Sequence, residues 1–226
     1  MVYNNKHIKM KSALKETLET VIIAFAIFLA LQTTLMGFIV EGSSMSPSLF
    51  TGEKILVNKA VYLSSSWDIV RRITPNSKHE DENSFIFHPP QRGDIICFYF
   101  PRDIKQIYIK RIIGLPGETV EIRNGKVLIN DSVIKEPSNI PTARNNYGPI
   151  TVPPKQYFVM GDNRNGSSDS RGGWTVPKDN IIGKAWLIYW PLPKWGLAPN
   201  FKLASSGSPL TLQSEDLFSF PEMVRR

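Results

Sequence analysis

The chain has 226 residues, 42% of them apolar, which is enough for one well-buried domain and an appendage but not for two large domains. Its net charge of +7 is not gathered into an arginine-rich run; residues 1–16 hold Lys6, Lys9, Lys11 and Lys15 against Glu16, and the rest is dispersed. Dispersed charge argues against nucleic acid as a partner, and Cys97, the one cysteine, excludes an internal disulfide and cysteine-based zinc spacing and reads as a small buried hydrophobe.

Behind the lysines, Thr20 to Val40 carries no formal charge, and Val21 to Leu31 is apolar without interruption. About 20 such residues are what a membrane-spanning helix needs. A cleavable secretory signal would place its small-x-small triplet after the apolar run, whereas Ala24-Phe25-Ala26 lies inside it. An uncleaved anchor over residues 18–40 is therefore predicted, preceded by a basic cytoplasmic segment, 1–17. The positive flank stays inside, so residues 41–226 are expected on the outer side, periplasmic or lumenal.

Beyond the anchor the text favours β-branched and aromatic residues in short runs: Ile55 to Val57, Ile95 to Phe100, Ile107 to Ile113, Thr119 to Ile122, Val127 to Ile129, Tyr157 to Met160 and Ala185 to Trp190. Turn signals separate them, and Asn124-Gly125 marks a two-residue hairpin. The predicted class is mainly β, an antiparallel domain over 41–204. Ser64 to Gln91 breaks the rhythm and reads as an irregular insertion, and the serine-rich tail 205–226 is expected to be mobile.

Ser44, four residues beyond the uncharged stretch, puts a hydroxyl at the membrane surface, where it can meet only membrane-held substrates. Of the three histidines, His7 precedes the anchor, while His79 and His88 belong to the insertion; a Ser-His-Asp triad would need one of those two. A neutral lysine is the other possible base. Lys110 sits in Ile107-Tyr108-Ile109-Lys110-Arg111-Ile112-Ile113, where a strand puts Tyr108, Lys110 and Ile112 on one face; it is either a desolvated base or the solvated half of an alternating strand. The loop Gly161-Asp162-Asn163-Arg164-Asn165-Gly166-Ser167-Ser168-Asp169-Ser170-Arg171 reads as a turn, or as a support offering hydroxyls and an Asp/Arg pair.

Taken together, three ordered blocks resemble type I signal peptidases, membrane-anchored serine proteases that remove signal peptides. They are Ser44-Met45-Ser46-Pro47-Ser48-Leu49, Tyr108 through Glu118, and Gly161 through Arg171, with Arg92-Gly93-Asp94-Ile95 as a fourth. The resemblance covers residues 18 to about 190. It implies Ser44 as nucleophile and Lys110 as general base, Ser167 orienting the lysine amine, and Asp169 pairing with Arg171. It also implies an antiparallel β fold with a membrane-associated surface, and no cofactor or metal.

Some relatives add a hydroxyl two residues before the nucleophile; here that position is Gly42, so a Gly42 backbone group or the Ser43 hydroxyl is the substitute oxyanion donor. Phe38, Val40, Met45 and Ile109 are the expected substrate contacts, for small residues at the first and third positions before the cut. The implied partners are signal peptides of exported preproteins and membrane lipid. Two competing functions are a non-catalytic, membrane-tethered peptide-binding β domain and a self-cleaving Ser/Lys repressor. The second lacks a DNA-binding segment in residues 1–40.

Overall fold

The structure, a computed structural model, describes residues 3–62 and 88–203. Most of the predicted insertion and the tail 205–226 lie outside the described residues. Helix α1 spans Tyr3–Thr34. Its stretch Lys15–Thr34 has a mean hydropathy of 1.7 and is not buried by the other described residues. At about 1.5 Å per residue this stretch is about 30 Å long, the thickness of a bilayer's hydrocarbon core.

The helix stops earlier than the expected anchor. Thr33 and Thr34 turn their hydroxyls back onto Leu29 O and Leu31 O in its last turn. Leu35–Ile39 then forms strand β1, antiparallel to β2 (Lys54–Asn58) from Leu35 opposite Asn58 to Ile39 opposite Lys54. The helix thus ends at Thr34, within the stretch 18–40 expected as anchor, and Leu35–Ile39 of that stretch is strand. Residues 35–39 gain sheet partners for their backbone groups, Phe38 packs on the core, and Val40 beyond them is buried.

The main sheet continues with β3 (Ile95–Phe100) and β4 (Asp103–Gly114). A small antiparallel sheet follows, β5 (Thr119–Arg123), β6 (Lys126–Ile129), β7 (Ser132–Val133) and β8 (Tyr147–Thr151). The chain returns through β9 (Gln156–Met160), β10 (Val176–Pro177), β11 (Ile181–Trp190) and β12 (Gly196–Leu197). Strand order in the main sheet is β1-β2-β11-β3-β4-β9-β10 with β12 beside β11, and in the small sheet β7-β6-β5-β8. Every described pairing is antiparallel, as the sequence predicts. The β5–β6 turn has φ of 52° at Asn124 and 77° at Gly125, the left-handed pair that a two-residue hairpin requires.

Central strands are buried on both faces, which is why they read as continuous apolar runs rather than as alternation. In β3, Ile95 and Cys97 enter one core with Met45, Leu49, Ile55 and Ala185, while Ile96 and Phe98 enter another with Ile112, Val159 and Trp174. A third core joins the small sheet to the main one through Ile113, Val120, Ile122 and Phe158. The core that holds Met45 and Leu49 also takes Phe38 and Val40 from the end of β1 and Ile109 from β4, and so fixes these two segments relative to each other.

Candidate active site

Ser44 follows β1 in a tight turn where Ser46 N donates to Ser43 O, and Ser48 N and Leu49 N donate to Met45 O. Met45 and Leu49 are fully buried and nail this turn to the core. The Met45 side chain, expected from the sequence as a substrate contact, lies in the core and is not among the residues lining the cleft; an unbranched apolar side chain right after Ser44 turns inward where the core has room for it. Gly42 has φ +76°, a left-handed conformation that a side chain would strain, and its carbonyl accepts from Thr51 Oγ1 at 2.9 Å.

Lys110 comes from the middle of β4 and is 5% exposed. Its Nζ is hydrogen bonded to Ser44 Oγ at 2.8 Å and to Ile109 O at 2.8 Å, and lies 5.3 Å from the centre of the Tyr108 ring on the same strand face. No carboxylate forms an ion pair with it among the described residues. Burial lowers its pKa from 10.5 to about 8, against weaker opposing fields from Asp169, Cys97 and Asp162. Cys97 is itself buried, and its thiol is pushed up to about 12, so at neutral pH it offers no thiolate counter-charge. Of the two roles open to Lys110, the structure fits the desolvated one.

The loop after β9 packs against the serine's backbone. A side chain at Gly161 would meet Ser44 O at 2.4 Å and Ser167 Oγ at 2.2 Å, so the backbones can approach this closely only with glycine there. Asp169, 2% exposed, accepts from Gly161 N at 3.0 Å and from Arg171 Nε and Nη2 at 2.8 and 2.7 Å. The pair expected from the sequence is formed. The Ser167 Oγ is enclosed and has no hydrogen-bond partner among the described residues.

Three supports were not anticipated from the sequence. Arg111, beside Lys110, is fully buried and forks onto Asp162 through Nε at 2.8 Å and Nη2 at 2.5 Å, with further bonds to Gly93 O, Pro199 O and Ser48 Oγ. An arginine in an otherwise apolar strand needs such a partner, and that was the available signal. Arg164 is likewise buried and forks onto Glu136. Asn163 donates from its backbone to Ser44 O and from its side chain to Ser43 O.

A cleft of about 620 Å³ opens at Ser44 and Lys110. Phe38, Val40 and Gly42 line it from β1 and its extension, Ile107 and Ile109 from β4, and Ile55 and Cys97 from β2 and β3. Ser43 lies beside the serine but off this wall. β4 pairs with β9 only from Arg111 onward, and β1 has one sheet neighbour. Both walls thus leave a strand edge without a strand partner among the described residues.

Such a serine–lysine site, on an antiparallel β domain, has the makings of a peptidase. The family described as "Signal peptidase, peptidase S26" matches residues 14–190. A probable signal peptidase I-1 from Synechocystis sp. is 36% identical over 169 residues, covering 72% of this chain and 74% of its own. A signal peptidase I from Leptolyngbya laminosa is 34% identical, covering 83% and 85%, and a signal peptidase I P from Bacillus subtilis subsp. natto is 36% identical, covering 82% and 94%. A crystal structure of a signal peptidase I from Enterococcus faecalis V583 aligns at 36% identity with a TM-score of 0.38, over 43% of this chain and 97% of that one. The chain belongs to the signal peptidase family, peptidase S26, and is a peptidase.

Proposed function

We propose that this peptidase removes N-terminal signal peptides from exported preproteins, cutting after a small-x-small motif by way of an acyl-enzyme. The observation that carries the proposal is the 2.8 Å contact between Ser44 Oγ and a buried Lys110 Nζ, which has no ion-pair partner among the described residues, in the wall of a cleft. Neutral Lys110 takes the Ser44 proton as Oγ bonds to the scissile carbonyl carbon. The Ser44 N–H stabilises the resulting oxyanion, and a Gly42 backbone group or the Ser43 hydroxyl is the second donor. The lysine ammonium then protonates the leaving amine as the C–N bond breaks. Water, deprotonated by Lys110, releases the acyl group from Ser44.

Ser167 is proposed to orient the amine during these transfers, a reading supported by its enclosed, unpartnered hydroxyl beside Gly161. Asp169 and Arg171 hold the loop that carries it. The substrate is an extended strand lying between the edges of β1 and β4, with backbone pairing on both sides and small residues against Phe38, Val40 and Ile109.

The anchor reading is supported by a helix of membrane-spanning length whose apolar stretch is not buried by the other described residues. The lysines before it place the N-terminus in the cytoplasm and the catalytic domain on the outer face. Ser44 lies only a short strand and turn beyond Thr34, close to the membrane where a signal peptide's cleavage site also lies.

The test uses the full chain in detergent with a preprotein bearing a small-x-small site. Ser44→Ala and Lys110→Ala are each expected to abolish cleavage while keeping the wild-type thermal transition. Full activity in either variant would overturn the dyad.

A further inference from the structure

We infer that Asn163 is a positioning residue that aims the oxyanion-binding N–H of Ser44. The inference rests on the Ser44/Lys110 reading and assigns the residue that holds its oxyanion donor in place. The peptide plane between Ser43 and Ser44 carries Ser43 O on one side and Ser44 N–H on the other, so fixing the carbonyl fixes the direction of the N–H. Asn163 Nδ2 donates to Ser43 O at 3.2 Å, and Asn163 N donates to Ser44 O at 3.0 Å. One residue thus grips the carbonyls on both sides of the nucleophile. Among the described residues Ser44 N–H donates to nothing, which leaves it free for a ligand.

The surroundings hold this grip in register. Gly166 N donates to Asn163 O at 3.1 Å, and a side chain at Gly166 would meet Asn163 Nδ2 at 2.7 Å, so glycine leaves the amide the space it occupies. At the loop's other end, Gly161 N is tied to Asp169. On the far side of Gly42, Thr51 Oγ1 holds the Gly42 carbonyl. Asn163 does not line the cleft and has no bond to Lys110. Its effect must therefore fall on charge stabilisation, not on substrate binding or on the base.

The experiment compares full-length wild type, Asn163→Ala and Asn163→Leu, both uncharged so that no new carboxylate field reaches Lys110, in detergent on an internally quenched small-x-small peptide. Both variants keep the backbone N–H to Ser44 O and lose the side-chain donor to Ser43 O. Expected are a kcat about 10- to 100-fold lower, KM within about twofold, and an unchanged pH inflection. A peptide aldehyde, which adds Ser44 Oγ and leaves an oxygen in the oxyanion position, is expected to weaken in parallel with kcat, while the product peptide binds as before. Gly166→Ala, which displaces the amide without removing it, is expected to give the same split and stands in if the Asn163 variants do not fold.

Unchanged kcat, a rise in KM alone, an inflection that moves, or undiminished aldehyde affinity would each overturn the inference. Ser44→Ala is the control. If it remains active, the dyad reading itself fails; if it is inactive while the Asn163 and Gly166 variants match wild type, only the present inference fails.

Discussion

Proton release from Lys110 should set the pH dependence of cleavage. With its pKa lowered to about 8 by burial, about a tenth of the enzyme carries the neutral amine at pH 7 and about nine-tenths at pH 9. kcat/KM is expected to rise about tenfold over that interval and then level off. A solvated lysine near 10.5 would instead give a rise of about a hundredfold over the same interval without a plateau. The assay is initial-rate cleavage of a short peptide from pH 6 to 10 in one detergent at constant ionic strength. The same ionisation has a stability signature. Between pH 8 and 10.5 the unfolded chain holds a proton that the folded chain has released, so stability rises with pH across that window, by about 3 kcal/mol in total. Lys110→Met should remove that slope in urea unfolding and remove activity. A rate that stays flat through pH 8, or one still climbing steeply above pH 9, would refute the buried-base argument.

Arg111→Met should cost about 3–5 kcal/mol of unfolding free energy, because it strands the fully buried Asp162 carboxylate and two backbone carbonyls; a loss below about 1 kcal/mol in urea titration would mean that the pair is not buried as described. Ser167→Ala removes a hydroxyl with no described partner, so the melting temperature should not fall, while the orienting role proposed for it requires a lower kcat at pH 7. Wild-type kcat in that variant would remove Ser167 from the mechanism.

The strands β2, β3, β4, β5, β6, β9 and β11 are legible in the chain because each is a short β-branched or aromatic run between turn residues, and the β5–β6 hairpin is legible because Asn124-Gly125 tolerates positive φ. Strand β8 is not, since Tyr147-Gly148-Pro149 reads as a turn, and only pairing with β5 makes it extended. β1 is concealed for a different reason. Apolar composition continues from helix into strand, and nothing local says where membrane packing gives way to pairing with β2.

Within the site, the roles proposed for Ser44 and Lys110 and the pairing of Asp169 with Arg171 come from the resemblance that the ordered blocks carry. Local sequence cannot assign partners across distance. Asp162 answers Arg111 across 51 positions, Asn163 reaches Ser43 across 120, and Met45 turns into the core although it adjoins Ser44. The sequence by itself determined the β strands and the apolar N-terminal run, because composition and periodicity are local properties, and its ordered blocks offered a hydroxyl and an amine through their resemblance to a known family. Tertiary structure alone decided that the amine is dry, that it touches the hydroxyl, and that two strand edges stand open beside them, because desolvation and contact exist only once distant segments have packed together.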